Sequence, residues 1–277
     1  VIPILSHSLS VVIRYEMETR VAHISNELGK TQEKLQRLDR NKSNFISVAA
    51  HELKTPLTLI EGYTSMMVDL AHGSEQSQMS NYLEGVNTGI HRLRHIIDDM
   101  IDVSLIDNHL LTLNFQPLWI GHLLNLLKNE LQKTTADRGQ NLIIHSFEGS
   151  DLMIYGDSER LYQALHNVTS NAIKYTPEGG RVHIRLYRQQ DAVHFEVEDN
   201  GYGIPREQQA RLFQPFYRVK TPATRNIDGT GLGLHLVKKI VERHTGHMHF
   251  TSEEGRGSTF GFRMPVRDHV QAASTAR

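Results

Sequence analysis

The chain has 277 residues, with 30 Lys and Arg against 31 Asp and Glu and a formal charge of −1. Charge this balanced speaks against a nucleic-acid surface or a polybasic membrane anchor. The absence of cysteine excludes a disulfide framework, a thiolate zinc site and a cysteine nucleophile.

At ~150 residues per domain the length points to one or two domains. Hydrophobic residues at 39% and charged residues at 22% are ordinary for a globular protein. No apolar run approaches the ~20 residues of a membrane span. The opening Val1 to Ile13 is apolar but short, interrupted by Pro3 and His7, and lacks a basic start, so it makes a poor signal peptide.

The first hundred residues carry helical spacing. Ile24, Leu28, Thr31, Leu35, Leu38, Lys42, Phe45 and Ala49 alternate in steps of four and three, a heptad seam weakened by Thr31 and Lys42. Met79, Leu83, Val86, Ile90, Leu93, Ile97 and Met100 repeat the alternation more cleanly. Ala71-His72-Gly73-Ser74 between the two runs is a turn sequence. Two amphipathic helices joined this way form an antiparallel hairpin. One hairpin cannot cover both apolar stripes, so it is expected to pair into a dimeric four-helix bundle.

Beyond residue 110 the period changes. Leu111, Leu113 and Phe115 alternate as in a strand, Trp119 to Gln132 is helical, and Leu142 to Phe147 and Leu152 to Tyr155 are short strand candidates. Glu159 to Lys174 is helical. Val182, Ile184 and Leu186, then Val193, Phe195 and Val197, flank a turn at Gln189-Gln190-Asp191. Leu232 to His244 is helical. Met248 and Phe250, then Phe260, Phe262 and Met264, close the chain around Glu254-Gly255. The pattern predicts an α+β fold, a mixed sheet with helices on one face. The tail from Arg267 is small and polar, and is expected to fray.

Two groups of residues suggest chemistry. In A-A-H-E-L-K-T-P-L, Leu53, Leu57 and Ile60 have core spacing, which turns His51 outward. Glu52 adjoins it, Thr55 lies one turn on, and Pro56 is expected to kink the helix. An imidazole is a nucleophile near neutral pH when a base orients it. One exposed histidine among 17 is weak evidence by itself. The stretch His244, His247, His249 lacks metal-ligand spacing and runs into a strand.

The second group is longer. Asn167, Asn171 and Lys174 share a helix face, and their two amide oxygens and one ammonium suit hydrated Mg²⁺ and phosphate. Asp199-Asn200-Gly201-Tyr202-Gly203 ends a strand with a carboxylate and two glycines that admit a ligand closely. Gly229-Thr230-Gly231-Leu232-Gly233-Leu234 opens a helix, where free N–H groups and the dipole attract anions. It is neither a P-loop nor a Rossmann fingerprint. The polar stretch from Tyr217 to Gly229 has the composition of a mobile lid. Each piece alone fits a plain turn or solvent face equally well.

Together the pieces resemble a two-component sensor histidine kinase over residues 35–266. Five boxes occur in that family's order: H-E-L-K-T-P from His51, N-V-T-S-N-A-I-K-Y-T from Asn167, D-N-G-Y-G-I from Asp199, L-F-Q-P-F-Y-R from Leu212, and G-T-G-L-G-L from Gly229. The resemblance implies a dimeric helical hairpin followed by an α/β sandwich ATP-binding domain of the gyrase, chaperone and histidine kinase type. It divides the chain into a signalling helix over 1–40, a dimerisation and phosphotransfer hairpin over 41–108, a catalytic domain over 109–268 and a flexible tail over 269–277.

It makes His51 the phosphoacceptor, Glu52 its acid/base, and Thr55 the residue that orients water when the partner is dephosphorylated. Asn171, assisted by Asn167, would hold Mg²⁺. Lys174, Tyr175 and Arg218 would contact phosphate. Asp199 would read adenine beside Gly201 and Gly203. Gly229, Gly231 and Gly233 would hinge the lid over ATP, Leu232 and Leu234 between and after them would belong to the nucleotide-binding set, and Thr259 would lie near the base. Gyrase-type relatives carry a water-activating glutamate where this chain has Asn167, so poor hydrolysis is expected. Lys54 stands where Arg is commoner. The implied partners are a second copy of the chain, a response-regulator receiver domain and an upstream sensory domain, with Ser8 to Tyr15 resembling the end of a GAF domain. No nucleic acid and no membrane segment in this chain are expected, and the expected location of this portion is the cytoplasm. A phosphatase-dominant regulator, or an ATPase of the same fold, is the alternative.

Overall fold

The computed structural model describes residues 17, 20, 23, 25–32, 46, 48–67, 76–107, 112–146, 153–225, 227 and 229–266. The Ser8–Tyr15 segment, heptad positions Leu35, Leu38, Lys42 and Phe45, the Ala71–Ser74 turn and the tail from Arg267 lie outside the described residues. The chain divides into two compact units, Val1–Lys54 and Thr55–Arg277. In the first, residues 25–32 are helical and exposed, with Lys30 bonded to Glu27 at 3.0 Å.

Helix α1, residues 48–67, continues through Pro56. Helix α2, Gln76–Asp107, is 32 residues long. In the second unit the two helices run antiparallel, because contacts climb one as they descend the other. A Cβ on Gly89 would lie 2.7 Å from Ile60, and one on Gly85 would lie 2.5 Å from the Tyr63 ring. Tyr63 and Tyr82 stack obliquely at 6.2 Å. Small residues on α2 thus let α1 approach. Leu83, Ile90 and Ile97, spaced by sevens, stay 42–52% exposed, and Leu57, expected in the core, is 47% exposed. The hairpin therefore presents an apolar seam that its own two helices do not cover.

Beyond the hairpin come β1 (Gln116–Trp119), α3 (Ile120–Asp137), β2 (Asn141–Ser146), β3 (Met153–Gly156), α4 (Ser158–Tyr175), β4 (Arg181–Gln189), β5 (Ala192–Asp199), the short α5 (Arg206–Gln209), α6 (Gly233–Arg243), β6 (His247–Glu253) and β7 (Gly257–Pro265). Five strands form one mixed sheet in the order β2-β4-β5-β7-β6; β2 and β4 are parallel and the other pairs antiparallel. Val182, Ile184 and Leu186 of β4, Val193, Phe195 and Val197 of β5, and Phe262 of β7 are buried in one cluster. The same cluster holds Leu127 of α3, Leu161, Leu165 and Val168 of α4, and Leu236, Val237 and Ile240 of α6. At roughly 1.5–3 kcal/mol per large side chain, this burial dominates the stability of the sandwich. Ile106 of α2 belongs to it too, which anchors the end of the hairpin. The other sheet face is polar, with Arg185 bonded to Glu196 and Glu198, and His249 to Glu196.

Two expectations need correcting. The strand expected over Leu111–Phe115 is absent from the described residues 112–115, and pairing begins at Gln116, opposite Gly156. The apolar side chains there serve as anchors, Leu113 against the core and Phe115 beside the His244 ring at 5.1 Å. Nor do all strands share one sheet: β1 and β3 form a separate antiparallel pair.

Candidate functional site

The local sequence around α4 fixes its position. Asp157 caps the helix by accepting from Arg160 N at 3.1 Å, while its other oxygen accepts from Asn114 N at 2.9 Å. Its own N–H donates to buried His244 Nε2 at 3.0 Å. At the far end, the Gln140 amide donates to the carbonyls of Ile173, Thr176 and Pro177, and Arg138 donates to Thr176 O at 2.9 Å. Both ends of α4 are thus secured by residues outside it. Its apolar face is in the core, and Asn167, Asn171 and Lys174 line a cleft of about 950 Å³.

The opposite wall is the end of β5. Asp199 is 8% exposed and lines the cleft. Gly201 N and Ser258 N both donate to its Oδ1, at 2.9 and 3.2 Å. Burial nonetheless pushes its carboxyl up to about 6, against the lowering effect of those two N–H groups. The glycines here are obligatory. A Cβ on Gly201 would lie 2.3 Å from Tyr175 O, and one on Gly203, at φ +63°, would lie 1.9 Å from Glu253 O. Tyr202 N donates to Tyr175 O at 3.1 Å, which ties this turn to the end of α4.

The third wall is the loop into α6. Gly231 has φ +73°, and its Cβ would lie 2.7 Å from the backbone of Phe216, itself at φ 61°. Arg218 donates to Ile227 O across the lid segment, and buried Thr224 donates to Val219 O. Gly233 packs against Asn167, whose Nδ2 is buried without a partner among the described residues. An orphan amide of this kind costs about 1–3 kcal/mol, which a bound polar ligand would recover. Burial holds the Tyr175 hydroxyl above its ordinary range, partly offset by Arg218.

These contacts rank the glycines. Gly203→Ala and Gly231→Ala should each lose at least about 2 kcal/mol of stability, since Cβ meets backbone in a left-handed conformation. Gly229→Ala meets nothing within 4 Å and should stay within ~0.5 kcal/mol of the parent. Urea melts of the three variants check the order.

The cleft gathers Asn167, Asn171, Lys174, Tyr175, Asp199, Gly203, Arg218, Gly229, Gly231, Gly233 and Leu234. Gly201 sits behind Asp199 and positions its carboxylate, and Leu232 is fully buried beneath the loop. Thr259 does not line the cleft: it pairs with Glu198, while Ser258 pairs with Asp199. The signal was in the sequence. If Phe260, Phe262 and Met264 face inward, then so does Ser258, and Thr259 faces out. Asp99, Asp102 and His95 of α2 also line the cleft and carry no local motif. His51 is exposed and Glu52 half-buried in the first unit, and Thr55 is exposed at the start of the second.

A buried carboxylate at a strand end, paired amides, an ammonium and a glycine loop at a helix start thus line one cleft, on a mixed sheet backed by helices and beside a helical hairpin. Residues 156–268 match the family described as histidine kinase-, DNA gyrase B- and HSP90-like ATPase, and residues 41–109 match the His Kinase A (phospho-acceptor) domain. The chain is 34% identical over 256 residues to the circadian input-output histidine kinase CikA of Synechococcus elongatus, covering 92% of this chain and 34% of that protein. It is 30% identical over 240 residues to the sensor histidine kinase WalK of Bacillus subtilis, covering 85% of this chain and 38% of that one. Among solved structures, full-length ShkA in complex with AMPPNP aligns with TM-score 0.58 at 25% identity, covering 79% of this chain and 45% of that one. The chain belongs to the two-component sensor histidine kinases. It spans about a third of the length of the curated relatives it matches. No helix among the described residues is long and apolar enough to cross a membrane.

Proposed function

We propose that this chain is the kinase portion of a two-component sensor: it binds ATP with Mg²⁺ in the cleft, moves the γ-phosphoryl group to a ring nitrogen of His51, and passes it on to an aspartate of a response regulator. The observation that carries the reading is Asp199, a buried carboxylate with Oδ1 held by two N–H groups and Oδ2 left to accept from the amine of a base. The orphaned amide of Asn167, beside Asn171 and Lys174, suits the phosphate end. AMPPNP, bound to the similar kinase ShkA, is an ATP analogue.

The amide oxygens of Asn171 and Asn167 would hold Mg²⁺, which neutralises charge on the phosphates. Lys174 and Arg218 add positive charge, and the glycine loop presents backbone N–H groups. Phosphoryl transfer needs positioning and charge stabilisation more than covalent help. An N–P bond forms at His51 as the bond to the β-phosphate oxygen breaks, ADP leaves, and Glu52 takes the ring proton. With an amide at Asn167, no carboxylate stands there to activate water, which favours transfer over hydrolysis. The uncovered seam of Leu83, Ile90 and Ile97 fits pairing with a second copy. Thr55 would orient water in the reverse, dephosphorylating reaction.

Incubation with γ-labelled ATP and Mg²⁺ should label the chain with phosphate that survives alkali and is lost in acid. ATP turnover without protein label would overturn the reading in favour of an ATPase.

A further inference from the structure

The phosphate end of the cleft already holds an anion from the chain itself. Thr230 lies in the loop that opens α6, and its hydroxyl donates to Asp99 Oδ2 at 3.1 Å. The Thr230 hydroxyl oxygen in turn accepts from Leu232 N at 3.2 Å, so Thr230 links Asp99 to the loop backbone. Helix α6 has no side-chain cap, so its first N–H groups are open to an anion. Lys174, the ammonium on the facing wall, acts electrostatically on Asp99 as well. One turn along α2, Asp102 pairs with Arg160 at 2.7 Å and accepts from Gln163 at 2.7 Å. This second attachment fixes the register of α2 against α4 and keeps Asp99 in place.

Taking the cleft as an ATP site, we infer that Asp99 is a built-in competitor for the nucleotide's phosphates: the hairpin places a carboxylate on the phosphate loop, and nucleotide binds tightly only when α2 moves it away. Rotation or sliding of α2 would then couple the hairpin to the affinity of the cleft.

Burial holds the Asp99 carboxyl above its ordinary range, despite the lowering effects of Thr230, His95 and Lys174. A carboxylate kept there against its hydration is a strained occupant that phosphate can displace. Asp98, its neighbour on the same wall, is exposed and screened by water.

The test measures affinity of the full chain for ATP, ADP and adenosine. Asp99→Asn keeps an acceptor for Thr230 but loses the charge. It should tighten ATP about fivefold or more, ADP less, and adenosine not at all, since removing one nearby charge acts in proportion to the phosphates facing it. Asp99→Ala should do the same if the asparagine is poorly tolerated, and Asp98→Asn should change ATP by less than about twofold. Unchanged ATP affinity in both Asp99 variants, an equal gain for all three ligands, or an equal gain from Asp98→Asn would each overturn the inference. Failure of parent and variants alike to bind any of the three would instead overturn the assignment of the cleft to ATP.

Discussion

Replacing His51 with glutamine should abolish phosphate incorporation while leaving ATP binding within about twofold of the parent. Glutamine is a good helix former and position 51 is exposed, so stability should shift by less than ~0.5 kcal/mol. The cleft draws its lining from residues 88–260, so the binding site itself is not altered. What disappears is the nucleophile: an amide nitrogen has its lone pair delocalised and cannot attack phosphorus at neutral pH. The variant is needed because alkali-stable label identifies histidine without saying which of 17 carries it. Residual label would point to His95 or His166, which line the cleft, before any other. Label retained at the parent level would remove His51 from the mechanism.

Legibility in the sequence followed the range of the interactions. Wherever the determining contact is local, the reading held. Alternation in β4, β5 and β7 set both the strands and their buried faces, and the N-capping Asp157 opens α4 one residue before the expected helix. The misreading of residues 111–115 has the same root. Apolar alternation there records anchoring against the core and His244, whereas pairing was decided by β3, nearly forty residues on. Thr259 lies off the cleft and Ser258 on it because the phase of Phe260, Phe262 and Met264 along β7 puts Ser258 on their face and Thr259 on the other. The Gln140 clasp on α4 and the Asp99–Thr230 bond, which joins residues 131 apart in sequence, had no local pattern to betray them. They arise only once the sheet and hairpin bring distant polar groups together.

Asp199→Asn should separate binding from stability. Both N–H groups that hold the carboxylate converge on Oδ1, so asparagine can keep them through its own oxygen. Its Nδ2 then replaces Oδ2 and turns a donor toward the amine of the base. Donor facing donor, with a charge-assisted bond lost, should weaken ATP by about a hundredfold, ~3 kcal/mol. Stability should move the other way. The folded carboxyl titrates at about 6 against 3.8 for the ordinary group, so between those values the folded state binds the extra proton. Stability attributable to this residue therefore falls as pH rises through that window and is flat above it, a loss of about 3 kcal/mol. Asparagine carries no such penalty, so above pH 6 the variant should melt higher than the parent, with the gap closing toward pH 4. Binding supplies the opposite slope. The base amine requires the ionised carboxylate, so parent affinity should drop below pH 6 relative to the variant, whose ligand carries the same phosphate titration. Calorimetric melts and nucleotide titrations from pH 4.5 to 8.5 read both slopes. A variant that melts lower at pH 8 would mean that the carboxylate stabilises the fold, and the buried charge would no longer be a cost borne for the ligand.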